Sequence, residues 1–545
     1  MKKALPYLLF FALACNTLLP TPAPTLTPPA SPAAPSPTRI FAPTWTPLPG
    51  SPSPAPTGLR PEHITFHPGP ELYAGDIVSL QITRPGAEPE WEEARVKVFA
   101  GEAIEPLAED RFGRFGIGGR AQATFWWVWD TAGLVGEQSV TVVVESESGE
   151  RLDSLTVPVT LLPAELRPQP ERDARWAQAE SACCIFHYLT GTAAARDIAL
   201  ITAQADEAFE RVEERLGVER ERRITFTLLS RLLGQGGFAA GEISLTYIDR
   251  NPAGVDLETV LVHEGTHLLD RQIARERPTL LTEGLAVFIA GGHYKPEDLD
   301  RRAAALLVLD RYIPLADLAR DFYPQQHEIG YLQAGALVKY LVDKYGWEKF
   351  KAMYAGFESA PDEAAMLEAG LKAHYGKTLA EVEAEWLAHL RALPVDEDEV
   401  EDLRLTVTLF EALRRYQQRY DPAAYYLTAW LPDGREARKR GIVADFIRSP
   451  RAPENVALEA MLAAGQEALR RRDFAQTEQL VNAVNATLDS NGLFFDPLAA
   501  RYLRAVKDLA AQGYEVQTLD LLTTQPRATA IRTWPTLETI ILTDN

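Results

Sequence analysis

Leu261-Val262-His263-Glu264-Gly265-Thr266-His267 is the stretch whose reading decides this chain. It carries H-E-x-x-H inside an apolar run, and Leu281-Thr282-Glu283-Gly284-Leu285-Ala286 follows after a short loop. On a helix, side chains four residues apart lie one above the other, so His263 and His267 face one spot. Two imidazoles so placed can share one zinc ion, and Glu264, beside the first of them, can take a proton from water held there. A carboxylate from a second helix would add a third ligand and leave one coordination position open, as catalytic zinc needs.

The chain has only 9 His in 545 residues, so the pattern is rare by chance. The motif lies within 256–273, a proline-free stretch whose apolar residues point nearly all round, as in a buried central helix. His263, Glu264 and His267 are costly there without partners, and a metal satisfies all three directly or through water. A buried His/Glu hydrogen-bond cluster and a site that has lost activity are the alternatives. Gly265 costs roughly 1 kcal/mol against Ala in a helix interior, which close approach by a neighbouring element would explain.

His263-Glu264-Gly265-Thr266-His267 with Thr282-Glu283-Gly284-Leu285-Ala286 resembles the gluzincin branch of zinc metallopeptidases, specifically the peptidase MA-like group, over roughly 182–393. The resemblance implies zinc, with His263, His267 and Glu283 as ligands and Glu264 as general base. The metzincin pattern is absent, because Asp270 and Ile273 stand where Gly and His would be required. The thermolysin-like pattern fits imperfectly, since Val287 occupies the place of an acidic residue; this leaves the surroundings of the ligands open. Gluzincins often set a Tyr or His opposite the general base to stabilise the oxyanion, a place that Tyr331 or His327 would fill. Asp270, one turn beyond His267, would brace a histidine or stand exposed at the helix end. His293, in the loop after the Glu283 helix, is not read as a ligand.

Met1-Lys2-Lys3, an apolar run through Ala14 and then Cys15 make a secretion signal too short to span a bilayer. Ala12-Leu13-Ala14-Cys15 resembles a bacterial lipobox, which implies a membrane anchor through lipidated Cys15 and an extracytoplasmic location; a plain secreted protein is the alternative. No other run is long and apolar enough to cross a membrane. A net charge of -21 argues against nucleic acid as a partner. The only other cysteines, Cys183 and Cys184, are adjacent, and are expected to act as small apolar residues rather than to bridge each other.

The chain reads as multidomain. A signal peptide (1–15) and a Pro/Thr/Ser-rich linker (16–59) precede a β-sandwich (60–163), an α+β zincin-like metallopeptidase domain (164–394) and a mostly α-helical C-terminal domain (395–545). Period-two runs at 77–82, 95–99, 125–129, 140–144 and 155–159 predict the sandwich strands. The turn Trp129-Asp130-Thr131-Ala132-Gly133-Leu134 resembles those of bacterial Ig-like domains. The aromatics at 125–129 are either core with an exposed edge or a carbohydrate or protein platform. In the peptidase domain, strands are expected at 183–189, 224–229 and 242–248, and helices at 193–216, 280–290 and 328–345. By resemblance to zincins, strand 242–248 is the candidate sheet edge for an extended substrate, with an ordinary inner strand as the alternative. The acidic run 396–402 is solvated and can open a helix. Residues 457–472 and 474–488 resemble one tetratricopeptide-like hairpin, and 519–543 has β-like runs.

Together these features predict a surface-anchored zinc metallopeptidase acting on peptide or protein substrates. The alternatives are a non-catalytic surface-binding lipoprotein on a degenerate peptidase scaffold and a zinc amidase of cell-wall peptide bonds.

Overall fold

The computed structural model describes residues 58–542, apart from 70, 86–90, 92, 116–119, 235, 240, 361 and 426–430. The expected signal segment, Cys15 and nearly all of the linker lie outside the described residues. None of the described helices is long and apolar enough to cross a membrane.

Among the described residues the first unit has nine strands: β1 (Ile64–His67), β2 (Leu72–Tyr73), β3 (Ile77–Thr83), β4 (Arg95–Ala100), β5 (Ala108–Arg111), β6 (Gly113–Phe115), β7 (Arg120–Asp130), β8 (Gly136–Glu145) and β9 (Arg151–Leu162). They form two sheets, ordered β1-β3-β7-β6 and β2-β9-β8-β4-β5. Alternating apolar residues, among them Leu80, Val96, Val98, Val142 and Val144, close one core between them. All five sequence-predicted runs are strands here. The aromatic cluster is not an open platform. Phe125 and Trp129 join the sandwich core, whereas Trp127 is carried elsewhere. The β3–β7 register slips between Val78 and Leu80, and Trp127 takes φ 51°. This bulge aims its indole at the C-terminal half of the chain, where Nε1 donates to Asp445 Oδ2 at 3.0 Å.

The second sheet holds β10 (Trp176–Glu180), β11 (Cys184–Leu189), β12 (Ile224–Leu229), β13 (Gly237–Ala239) and β14 (Ile243–Thr246), in the order β10-β11-β12-β14-β13. β11, β12 and β14 are parallel, while β10 and β13 run antiparallel on the two outer positions. Strand 242–248 is thus an inner strand, corrected from the edge position expected of it. The edge is β13, a three-residue strand that folds back on β14 through the turn around Gly241.

Four helices position the site: α1 (Ile198–Leu216), α2 (Leu257–Leu269), α3 (Thr279–Ala290) and α4 (His327–Tyr345). The helix expected over 193–216 breaks at Asp197, whose carboxylate accepts from Arg196 and from Tyr247 Oη. Asp256 caps α2 by accepting the Thr259 N–H at 3.0 Å. Gly265 is explained by packing: a Cβ there would stand 3.1 Å from the Phe209 ring of α1. Gly284 of α3 and Gly335 of α4 let those helices cross closely, since a Cβ at Gly284 would overlap the Ala334 carbonyl and one at Gly335 the Val287 side chain. Gly284→Ala is therefore expected to destabilise this domain by about 1–3 kcal/mol, read as a lowered melting temperature, despite Ala's better helix propensity.

Cys183 and Cys184 are bonded to each other and fully buried, contrary to the expectation of two separate apolar side chains. Asp206 accepts the Cys183 N–H at 2.7 Å and the Ser181 hydroxyl at 2.8 Å, fixing the turn into β11 on which both sulfurs meet.

Asp396 caps α5 (Glu397–Tyr420) by accepting the Glu399 N–H, and three acids fill its first turn, where they complement the helix dipole. Leu403 and Val407 of α5 belong to the core around α1 to α4, and Leu409, Phe410 and Leu413 to the core of the following unit. That unit adds α6 (Pro453–Arg470), α7 (Phe474–Asp489), α8 (Pro497–Ala511) and the antiparallel sheet β15 (Glu515–Asp520), β16 (Arg527–Ile531) and β17 (Leu537–Ile541). Buried ion pairs tie the three parts together. Arg448, 1% exposed, bonds Asp76 at 2.6 Å and also pairs with Glu171. Arg231 joins Asp421 at 3.1 Å and donates to the Pro68 carbonyl at 3.0 Å. Losing one partner of such a pair strands a buried charge, so these contacts hold the parts in one arrangement.

Candidate metal centre

Helix periodicity stacks His263 over His267 on α2, and α3 crosses so that Glu283 reaches both. The two Nε2 atoms are 3.1 Å apart. Glu283 Oε2 lies 3.4 Å from His263 Nε2 and 3.1 Å from His267 Nε2. Ligands bound tetrahedrally at ~2.0–2.1 Å from one zinc ion stand about 3.3 Å apart, which is the spacing of these three atoms. His263, His267 and Glu283 are the group of His, Cys, Asp or Glu side chains, among the described residues, whose donor atoms converge in this way. The donor set therefore fits a zinc ion: two imidazoles and a carboxylate, with a further position free.

Burial makes the cluster electrostatically tense without a cation. Burial lowers the His267 pKa, but the Glu283 carboxylate more than offsets this and pushes it up to about 9. Burial raises Glu283, yet His267 and His263 hold it well below the usual carboxylate range. Glu264 is pushed up by burial, against the pull of both histidines. It is 6% exposed, and its Oε2 has no hydrogen-bond partner among the described residues. A Cβ at Gly237 of β13 would stand 3.0 Å from Glu264 Oε1, so the edge strand passes directly over this carboxylate.

Tyr331 is 7% exposed with its ring centroid 6.0 Å from that of His263. It stacks on His293 at 4.1 Å and lies 4.1 Å from His327. The structure thus brings Tyr331, His327 and His293 to one side of the ligands, with His293 outside the converging group. Burial holds both His293 and His327 well below 6.5, so each is neutral at pH 7. Asp270 neither braces a histidine by a hydrogen bond nor stands exposed. It is fully buried, pairs with Arg277 and accepts from Tyr354 Oη at 2.6 Å. Its place at the end of α2 turns it toward the helices behind the site.

Sequence reasoning missed Tyr323. Its hydroxyl donates to Glu283 Oε1 at 2.7 Å, which leaves Oε2 to face the histidines. No spacing rule links a loop tyrosine to a helix carboxylate 40 positions earlier. Tyr323→Phe is expected to weaken zinc binding about 10–100-fold, as loss of an orienting hydrogen bond to a ligand does, measured by competition with a chelating dye. Also missed was Glu328, which pairs with Arg414 of α5 at 2.8 Å and so fixes the start of α4 against the C-terminal unit.

Residues 227–392 match the family model of the peptidase MA superfamily. The match starts inside β12 and takes in β13, β14, the three converging residues, Glu264 and Tyr331; β10, β11 and α1 lie before it. No curated protein matches the chain.

Proposed function

We propose that this chain is a zinc-dependent metallopeptidase, with His263, His267 and Glu283 as the ligands and Glu264 as general base. The observation that carries this reading is the convergence of three donor atoms at metal-ligand spacing beside a buried, unpartnered carboxylate, in the segment that matches the peptidase MA superfamily. Zinc, when bound, supplies Lewis acidity and lowers the pKa of water towards ~7. Glu264 takes the proton from water as it adds to the peptide carbonyl, and later returns it to the leaving amine. A carboxyl raised by burial suits both halves of that transfer. Tyr331, whose ring centroid lies 6.0 Å from that of His263, donates its hydroxyl to the developing oxyanion.

The same reading places the enzyme outside the cytoplasm, held to the membrane by lipid on Cys15 and spaced from it by the proline-rich linker. The lipobox-like run and the composition of 16–59 support that placement. Purified full-length chain should hydrolyse unstructured protein when loaded with zinc and stop on chelation. A zinc-loaded chain inert to both unstructured protein and cell-wall peptides would leave only the non-catalytic binding protein.

A further inference from the structure

A groove of about 580 Å³ opens beside the metal centre, next to the first turns of α2. Gly236 and Val260 are among the residues that line it. Gly237, the next residue along, is the one whose Cβ would meet both Glu264 and Val260, each at 3.0 Å. The groove therefore continues the wall of the site, one residue from the edge strand and one helical turn from Glu264. Its outer wall belongs to the C-terminal unit: Arg470 and Arg471 at the end of α6, Thr518 on β15 and Arg527 on β16.

This wall is held in place. Arg470 donates to the Gly254 carbonyl at 3.0 Å, and the Glu328–Arg414 pair locks α5 to the site helix α4. Its guanidinium groups are not exhausted. Arg470 and Arg471 share the single carboxylate of Glu467, at 3.2 Å each, and the Arg527 side chain has no ion-pair partner among the described residues. Such N–H donors suit the carbonyl groups of an extended chain, and the volume lies in the ~300–1,000 Å³ range of ligand sites.

The geometry points to the C-terminal unit as part of the substrate cleft: a peptide lying along β13 continues into this groove, which reads the residues on one side of the cleaved bond. This rests on the peptidase reading above. It gives residues 395–545 a role that their sequence does not disclose.

The test uses full-length, zinc-loaded protein and one cleavable peptide extended by about four residues, roughly 13 Å, at its N-terminal or its C-terminal end. Extension at one end only is expected to raise kcat/KM about tenfold, through KM. Thr518→Trp, an exposed strand position that accepts an aromatic, fills the groove and should abolish this gain, so that extended and unextended peptides are cleaved with the same kcat/KM. Arg527→Ala should lose part of the gain without filling the space. A gain that survives Thr518→Trp, or no gain at either end, overturns the proposal while the peptidase reading stands. Cleavage of none of the peptides rejects both.

Discussion

Glu264→Gln is expected to keep a full complement of zinc and to lower peptide hydrolysis by about 10²–10⁴-fold, the contribution typical of a positioned general acid–base. The carboxylate is not among the three converging donors, so the amide leaves the metal site intact. Gln matches Glu in shape, which matters because Gly237 leaves no slack beside Oε1. What the substitution removes is a basic oxygen that is buried and unpartnered, a state costly to maintain without a chemical use. Zinc content and kcat on one peptide decide the matter together. Turnover above about a tenth of wild type would exclude Glu264 as the base. Loss of zinc would mean that it supports the ligands instead.

The centre was legible because helix geometry is local. The four-residue offset from His263 to His267 dictates a shared face, and only two helices need to meet to add Glu283. The rest depends on contacts that leave no periodic trace. β13 contains Gly237, Phe238 and Ala239, with no alternation to announce a strand, and its place at the sheet edge follows only from how it pairs with β14. Strand 243–246 carries the stronger β signal, Ile243 and Leu245 alternating with Ser244 and Thr246, and the burial of all four residues is the mark of an inner position. Trp127 reads as one more aromatic of a strand until the slip in β7 turns it toward Asp445, 318 positions away. Arg448 meets Asp76 across 372 positions, so how the sandwich sits on the peptidase domain was beyond pattern reading. The cysteine pair departs from the general expectation for adjacent cysteines for a related reason: Asp206, 23 positions away, sets the local turn.

Zinc binding should weaken as pH falls, and His263→Ala should abolish it. In the cation-free cluster His267 titrates at about 9, so near neutral pH its ring carries a proton that zinc must displace. Glu283 is held well below the usual carboxylate range and is already ionised, so it adds no further proton there. The sign follows: between about pH 7 and pH 9 the apparent affinity should rise roughly tenfold per pH unit, one proton exchanged for one ion, and flatten above. Calorimetry in two buffers of different ionisation enthalpy should show about one proton released per zinc near pH 7. In His263→Ala the remaining donors are one imidazole and one carboxylate, and both zinc and hydrolysis should be lost, with Glu283 still drawing the His267 pKa upward. An affinity indifferent to pH, or a His263→Ala protein that retains stoichiometric zinc, would mean that the ion binds elsewhere and that the three converging side chains form a hydrogen-bonded cluster of their own.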